Sequence, residues 1–346
     1  MKIPSNFSCD AMANTSRSLL RRSARTLAAA GLVLAGLLGA AAPAAAQYPE
    51  RPITLVVPYA PGGATDISAR LIARFLAKDL GQSVIVENKA GAGTIIGAQF
   101  VAHSPRDGYT LLLSSGTTFT INPAIHKNLS YDPVKDFEPI AIVARTGLIL
   151  LANPKVPVDD VKSFLAYVKD PAHTDTPYGT FGSGTTANFV GAAFAAAAGI
   201  KMTQIPYSGS APAMTDLIAG QIPFSVDTVA AALPPLKAGT VKAIAVSSPQ
   251  RSAFLPNVPT FADQGYPQVA MDTWLMAVAP RGIPAEAEAK LEKAFAAFTA
   301  DPEARKAMLA QGMEPGFQGS KEGEALIAKE LPQMRELAQR AHISAE

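Results

Sequence analysis

The chain has 346 residues, and its 30 basic and 28 acidic residues give a formal net charge of +2. The first 46 residues hold five of the basic residues and one acid, which leaves 25 basic and 27 acidic residues, a net charge of −2, in the remainder. This balance argues against nucleic acid as a partner, because phosphate binding needs a basic excess. The single cysteine, Cys9, lies in the same segment, so a chain that starts at Gln47 has no disulfide, thiol nucleophile or thiolate metal site.

The first 46 residues have the character of an export signal. Four arginines precede an apolar run rich in Ala and Gly, which ends in Ala44-Ala45-Ala46. We expect cleavage after Ala46 and an exported, soluble product. An uncleaved membrane anchor is the alternative, because the run is close to the roughly 20 residues that span a bilayer; the small residues at its end favour cleavage. The long lead leaves either Met1 or Met12 as the start.

Strand-like apolar runs alternate with helical patterns along the rest of the chain. The first part predicts strands at 53–59, 83–87 and 109–115, a helix that ends at Gly81, and a helix at 93–104. Two paired apolar runs, 139–144 and 148–153, flank Arg145-Thr146-Gly147. The second part predicts strands at 178–181, 201–207, 222–227 and 241–248, with helices at 157–169, 186–198 and 213–219. The last part predicts a strand at 270–280 and helices at 285–298, 302–310 and 322–341.

This alternation predicts an α/β fold with two mostly parallel sheets flanked by helices. The strands are apolar almost throughout, which is typical of sheets covered on both faces. We expect two lobes with a ligand cleft between them. The first lobe comprises 47–146 and 272–346, and the second comprises 147–271. The connections at 145–148 and 270–276 are the expected hinges.

A glycine-rich loop follows the first predicted strand and contains Gly62, Gly63, Thr65 and Asp66. Ligands of α/β proteins bind beyond the carboxyl ends of the strands, where helix N-termini attract anions without a cationic side chain. The glycines allow close approach to the backbone, Thr65 can cap the helix or donate its hydroxyl to a ligand, and Asp66 complements the helix dipole. An ordinary glycine turn with a Thr cap fits these residues equally well.

Two further strand ends carry loops of the same kind with no Lys or Arg beside them. Their small and hydroxyl residues are Ser115, Gly116 and Thr117 after the third strand, and Ser183, Gly184, Thr185 and Thr186 before an Ala-rich helix. Three such loops together suit a carboxylate held by amides, hydroxyls and water. Release would then be easy, because no desolvated ion pair has to be broken.

Two other positions have both a functional and a structural interpretation. Asp227 ends a predicted strand, where it can accept a hydrogen bond from a ligand or cap a helix together with Thr228. Trp274 is expected in the core or at a hinge.

Enzyme motifs are weak in this chain. It has no nucleophile elbow and no phosphate-binding loop with lysine. The glycines of "GAGTIIG" at 91–97 are spaced one residue too far apart for a dinucleotide site and do not abut a strand, so an exported NAD-dependent oxidoreductase is a minor alternative. The histidines are scattered and are expected on the surface or in loops rather than on a metal or in catalysis: His103, His126, His173 and His342.

Six segments of the chain match the pattern of a known family: "YPERPITLVVPYAPGGATD", "VIVENKAGAGTIIGA", "DGYTLLL", "YDPVKDFEPIAIVA", "IPYSGSAPAMTDLIAGQI" and "VKAIAVSSPQRSAFLPNVPTFADQGYP". They resemble the periplasmic solute-binding receptors of tripartite tricarboxylate transporters, the Bug-type receptors. The resemblance covers nearly the whole chain after residue 47. It implies a type II-like two-lobed binding protein of the periplasm, without catalysis, cofactor or metal, that closes around a small organic carboxylate.

The resemblance also implies site residues and partners. The carboxylate would lie between the two glycine-rich loops, with the variable end of the ligand near Tyr207 and Asp227. The first loop comprises Tyr59, Ala60, Gly62, Gly63, Ala64, Thr65 and Asp66, and the second comprises Ser183 to Thr186. The implied partner is a tripartite-type membrane permease. A ligand-dependent role beside a membrane sensor kinase remains an alternative, and a monomer is expected.

The chain departs from the family pattern at three places. The family usually has serine at Ala64, Gly-Asn-Ile at Thr94-Ile95-Ile96, and often histidine at Asn188. The first departure removes a hydroxyl from the anion loop, and the third alters polarity near the pocket. Neither removes backbone donors, so the departures affect ligand identity more than the anion site itself.

Overall fold

The computed structural model describes residues 48–344, which form one compact unit. The strands are β1 Ile53–Val57, β2 Val84–Asn88, β3 Thr110–Ser115, β4 Phe137–Ala152, β5 Thr176–Thr180, β6 Met202–Pro206, β7 Phe224–Thr228, β8 Lys242–Val246, β9 Asp272–Pro280 and β10 Glu314–Gln318. The α-helices are α1 Ala64–Leu80, α2 Ile95–Ala102, α3 Asn122–Ile125, α4 Val161–Lys169, α5 Thr186–Ala198, α6 Ser210–Ala219, α7 Val229–Lys237, α8 Ala285–Ala300, α9 Pro302–Ala310 and α10 Ser320–Arg340. A π-helical segment, Thr117–Ile121, leads into α3.

The strands follow the order β2-β1-β3-β9-β4-β7-β5-β6, with β8 and β10 also paired to β4. The groups β2-β1-β3 and β7-β5-β6 are parallel, as the βα alternation predicts. Strands β4 and β9 are antiparallel to their neighbours and connect the two groups. The α/β class is confirmed, whereas the apolar patterns did not indicate this antiparallel centre.

Strand β4 is the longest strand among the described residues. The sequence suggested two apolar runs on either side of Arg145-Thr146-Gly147, but a single 16-residue strand passes through this tripeptide. Up to Gly147 the strand pairs with β9, and from Leu148 onward it pairs with β7. The strand therefore changes its pairing partner just after the polar tripeptide, which is not a turn.

Helix boundaries follow local signals. Helix α1 buries a stripe that includes Ala69, Ile72 and Leu76, and it ends at Gly81, which adopts the left-handed conformation with φ 68°. Helix α4 begins at Val161 rather than at residue 157, because the Asp160 side chain accepts from the Ser163 amide and completes a capping box. The other predicted helices agree with the structure within a few residues, whereas α3 and α7 were not predicted.

An aromatic cluster lies on one side of β9. Trp274 is 1% exposed, stacks on Phe119 with ring centroids 5.9 Å apart, and donates its indole N–H to Glu330 Oε2 at 2.9 Å. Phe119 in turn meets Phe137 edge to face. Trp274 is thus a core residue whose polar tip is satisfied, as buried tryptophans generally require.

Within residues 48–344, no helix is long and apolar enough to cross a membrane. The predicted export signal falls on residues outside the described part of the chain.

Candidate functional site

A cavity lies where the carboxyl ends of the parallel strands meet the crossing strands β4 and β9. It is lined by Tyr59, Gly63, Ala64, Thr65, Ser115, Thr146, Phe181, Thr186, Ser210, Thr228, Thr273, Leu275 and Met313. Its volume is about 30 Å³. Since one water needs about 10–15 Å³, the cavity has room for about two or three waters or for a group such as a carboxylate, and it is far too small for a dinucleotide.

Four helix N-termini converge on this cavity. Helix α1 contributes Ala64 and Thr65 from its first turn, α5 begins with Thr186, α6 begins with Ser210, and Thr228 is the N-cap of α7. None of the lining residues is Lys, Arg, His, Asp or Glu. Any attraction of this cavity for an anion must therefore come from backbone amides and helix dipoles and not from side-chain cations in its lining.

The first loop is held by a buried carboxylate. Asp66 is 3% exposed and accepts from the Gly62 amide at 2.9 Å, from Asn88 and, through both oxygens, from Arg70. Burial raises the pKa of Asp66, but the hydrogen bonds from Arg70, Gly62 and Asn88 outweigh it and hold the pKa below its usual value. Asp66 thus stays charged. Its carboxylate binds the Gly62 amide and Arg70, and it does not line the cavity.

The two glycines of this loop have different roles. Gly62 adopts φ +83°, which L-residues rarely occupy, so glycine is required there for conformation. Gly63 is the N-cap of α1 with φ −83°, and a Cβ on it would lie 3.6 Å from that of Ser210. That distance is an ordinary van der Waals contact, and the dihedral angle is open to any residue, so neither requires glycine at 63. No side chain caps α1, so Thr65 does not act as the cap.

The second loop is held by neutral groups. Thr185 is fully buried, donates to the Gly182 carbonyl at 2.7 Å, and caps α5 by accepting from the Asn188 amide. The Gly184 amide is bound by the Asn188 side chain, and the Thr186 amide is bound by Thr117 Oγ1 at 3.0 Å. The hydroxyls of Thr185 and Thr117 therefore bind backbone groups of the loop and help to fix its shape.

Two hydroxyls in the cavity wall have no partner among the described residues. Thr186 Oγ1 and Thr273 Oγ1 are buried, and neither makes a hydrogen bond there. A buried hydroxyl without a partner costs roughly 1–3 kcal/mol. A ligand that accepts hydrogen bonds from both would remove this cost, so these side chains are suited to hold an anion in the cavity.

A second buried carboxylate lies behind the wall on the side of α6 and α7. Asp227 is 0% exposed, and its Oδ1 accepts from Ser210 Oγ and from the Thr228 amide, each at 2.7 Å. Its Oδ2 has no partner among the described residues. Burial raises the pKa of Asp227 to about 6, against the opposing effect of these hydrogen bonds. Asp227 is not the helix cap; Thr228 alone caps α7, through the Ala231 amide.

The model of the family described as "Tripartite tricarboxylate transporter family receptor" matches residues 68–343. The chain belongs to this family. It is 34% identical to the protein BugT of Bordetella pertussis over 309 residues, which cover 89% of this chain and 94% of BugT. The family consists of solute-binding receptors and not of enzymes.

Two solved structures show the fold of the receptor. The periplasmic binding protein BugD superposes with a TM-score of 0.82 at 35% identity, covering 86% of this chain and 99% of BugD. The structure of R. palustris Rpa4515 with adipate superposes with a TM-score of 0.82 at 32% identity, covering 86% of this chain and 99% of Rpa4515. The receptor therefore has the two-lobed fold of periplasmic binding proteins.

The sequence-predicted residues of the receptor divide into two groups. Those that line the cavity are Tyr59, Gly63, Ala64, Thr65, Ser115, Thr186 and Thr228. Those outside the lining are Ala60, Gly62, Asp66, Gly116, Thr117, Ser183, Gly184, Thr185, Tyr207 and Asp227. Most of the second group belong to the same loops, where they fix the backbone. Tyr207 instead directs its hydroxyl to Asp216 at 2.7 Å.

Six lining residues were not predicted from sequence. Phe181 directly follows β5, and Ser210 lies shortly after β6. Both strands are parallel, so the strand-end rule that selected the other loops could have found these residues. Thr146, Thr273 and Leu275 lie within β4 and β9, and Met313 lies just before β10. These four carry no local signal, since only the crossing of the two strands brings them to the cavity.

The minor enzyme alternatives find no support in the arrangement. Gly93 of "GAGTIIG" packs so closely on the second loop that a Cβ there would collide with the Ser183 carbonyl, which leaves no room for a pyrophosphate. The histidines are absent from the cavity lining. Within the described range, no cluster of three His, Cys, Asp or Glu side chains could hold a metal ion.

Proposed function

We propose that this receptor captures a small organic carboxylate in the periplasm by closure of its two lobes and delivers it to a tripartite-type membrane permease. The observation that carries the proposal is the cavity itself. Four helix N-termini meet at it, and its lining contains no charged side chain. Thr186 and Thr273 belong to this lining, and their buried hydroxyls have no partner among the described residues. Such a site favours an anion that accepts several hydrogen bonds. The bound adipate of Rpa4515 supports a carboxylate as the ligand class.

The proposed lobes comprise residues 47–146 with 272–346, and residues 147–271. The change of partner in β4 between Gly147 and Leu148 supports the first connection, and the pairing of β9 with β3 and β4 supports the second. Residues that line the cavity come from both proposed lobes. Closure would complete the site, and a ligand would drive it only through its greater affinity for the closed state.

Export completes the proposal. The basic lead, the apolar run and Ala44-Ala45-Ala46 support cleavage of a signal after Ala46, and the periplasmic family of the receptor agrees with that location.

Calorimetry on protein recovered from the periplasm, unfolded and refolded to remove bound ligand, tests the carboxylate site. The panel includes butyrate, succinate, adipate, citrate, glutamate and nicotinate, with NAD and glucose as negative controls. We expect binding of one or a few acids. Thr186→Val and Thr273→Val should each weaken it about fivefold, the equivalent of one hydrogen bond of roughly 1 kcal/mol.

Thr299→Val is the matched control. Thr299 is as buried as Thr273 but donates to the Ala296 carbonyl in α8 and does not line the cavity. Its substitution should lower stability without changing affinity. Binding of NAD alone, or equal affinity in the Thr186 and Thr273 variants and the parent, would overturn the proposal.

A further inference from the structure

An apolar groove lies directly outside the cavity. It runs between α1, α6 and α7 and past the end of α9, and its volume is about 330 Å³. Ile67, Met214, Ile218 and Pro234 are among its lining residues, and none of the residues that line it is Lys, Arg, His, Asp or Glu. Ile67 and Ile218 are 44% and 42% exposed, so the groove presents apolar surface to water.

The groove and the cavity share three lining residues, Ala64, Ser210 and Met313. These residues form the wall between the two spaces. Met313 is buried (1% exposed), but its side chain is unbranched and flexible, so a change of rotamer on ligand binding would join them. A molecule whose head is held at the helix N-termini therefore has a short route past Met313 into the groove.

The chemistry of the groove differs from that of the cavity. A second carboxylate would find no cation there, whereas methylene groups or an aromatic ring would cover the exposed isoleucines. We propose that the groove is a subsite for the hydrocarbon or aromatic tail of a monocarboxylate whose head occupies the cavity. The inference rests on the carboxylate function proposed above, and it adds the class of acid: one with an apolar tail rather than a second charge.

Calorimetry with butyrate, hexanoate and octanoate tests this subsite. Adipate, which has the chain length of hexanoate but a second carboxylate, is the comparison for charge. Full burial of one methylene strengthens binding about fourfold. Because the groove is partly open to water, we expect octanoate to bind at least tenfold more tightly than butyrate. Hexanoate should bind more tightly than adipate.

Ile67→Gln and Ile218→Gln locate the tail. Both side chains are exposed, so the variants should fold, and their melting temperatures verify this. Each variant should reduce the octanoate-to-butyrate affinity ratio at least threefold while butyrate affinity stays unchanged. Ile96→Gln is the control, because Ile96 is also exposed (52%) in the first turn of a helix but lies outside the groove lining.

Equal affinity for the three chain lengths, or tighter binding of adipate than of hexanoate, would overturn the subsite while leaving the carboxylate function in place. An unchanged ratio in both isoleucine variants would likewise overturn it, since the tail would then lie elsewhere. Failure of every acid to bind would overturn both the function and the subsite.

Discussion

Two buried aspartates stand behind the cavity, and their surroundings have opposite effects on their charge. Asp66 in the first loop is paired with Arg70 and keeps its pKa below the usual value. Asp227 at the end of β7 has hydrogen bonds but no cation, and burial raises its pKa to about 6. Arg70 compensates the charge of Asp66 with an ion pair. The charge of Asp227 has no such partner, and it is removed only by protonation as pH falls through about 6.

The largest expected effect is the contribution of Asp227 to the pH dependence of the free energy of unfolding. A raised pKa means that the folded state binds the proton more tightly, so this contribution is fully present below the unfolded pKa of about 4. It is lost as pH rises through about 6. At 1.36 kcal/mol for each pKa unit, the loss is about 3 kcal/mol.

Chemical denaturation of the parent and of Asp227→Asn at pH 4 and pH 7 measures it. Asp227→Asn should flatten the decline, although Asp272 and Glu330, whose pKa values burial also raises, leave part of it. A parent as stable at pH 7 as at pH 4 would contradict the contrast between the two aspartates.

The contribution of Asp66 to stability should depend on pH in the opposite sense. Its lowered pKa gives stability that is present above about pH 4 and lost as pH falls below that value. Asp66→Asn should cost about 2 kcal/mol at pH 7, because it weakens charge-assisted hydrogen bonds to Arg70 and Gly62. The half-exposed Arg70 keeps the loss below that of a fully buried pair.

A double-mutant cycle separates the ion pair from other effects. Arg70→Met should destabilise the parent by a similar amount but should have little effect in the Asp66→Asn background. Additive losses in the double variant would show that the pair contributes nothing specific to the first loop.

The affinity for a carboxylate should also depend on pH, through the charge of Asp227. When Asp227 is ionised, Ser210 donates to it and turns lone pairs toward the cavity; when Asp227 is protonated, the Ser210 hydroxyl is available to an anion. Affinity for a carboxylate, corrected for the ionisation of the acid itself, should therefore rise roughly fivefold from pH 7.5 to 5.5, since like charges disfavour each other.

Calorimetry at both pH values checks this, with Asp227→Asn as the control that should show no such rise. A parent whose corrected affinity does not change with pH would mean that Asp227 and the ligand are uncoupled.

The smallest effect concerns the second loop. Thr185→Ala removes the cap of α5 and its bond to Gly182, so it should cost about 1 kcal/mol of stability. Thr185→Ser, which keeps the hydroxyl, should cost much less. Any change in affinity should be secondary to the loss of loop order, because the Thr185 hydroxyl faces the loop. A large loss of affinity at unchanged stability would instead place this hydroxyl on the ligand.

Local patterns predicted much of this molecule. The alternation of apolar runs, the stop at Gly81 and the small residues after parallel strands identified the α/β class and three of the loops around the cavity. They could not show that β4 continues through Arg145-Thr146-Gly147, because a polar tripeptide with glycine is typical of a turn. The pairing partners that keep it extended, β9 and β7, lie far away in sequence.

The division of labour within the loops was also beyond local reasoning. Thr185 and Thr186 are adjacent hydroxyl residues, yet one caps the helix and the other leaves its oxygen without a partner in the cavity wall. Thr185 has the extended backbone of an N-cap, whereas Thr186 is the first residue of the helix, and the sequence does not show where the helix starts between two threonines. Asp66 fitted a general interaction with the helix dipole, and its partner Arg70 is an i,i+4 neighbour on the same helix, a spacing that the sequence itself contains. Its other partner, Asn88, ends β2, so that contact depends on how β2 lies beside β1.

The position of Trp274 gives the receptor an optical property of its own. It is the only tryptophan in the sequence, and the residues on either side of it, Thr273 and Leu275, line the cavity. Its indole lies between Phe119 and the carboxyl group of Glu330, so small shifts of β9 alter both the stacking and the hydrogen bond. Intrinsic fluorescence therefore comes from one defined site, and its intensity and wavelength provide a label-free signal for events in the cavity.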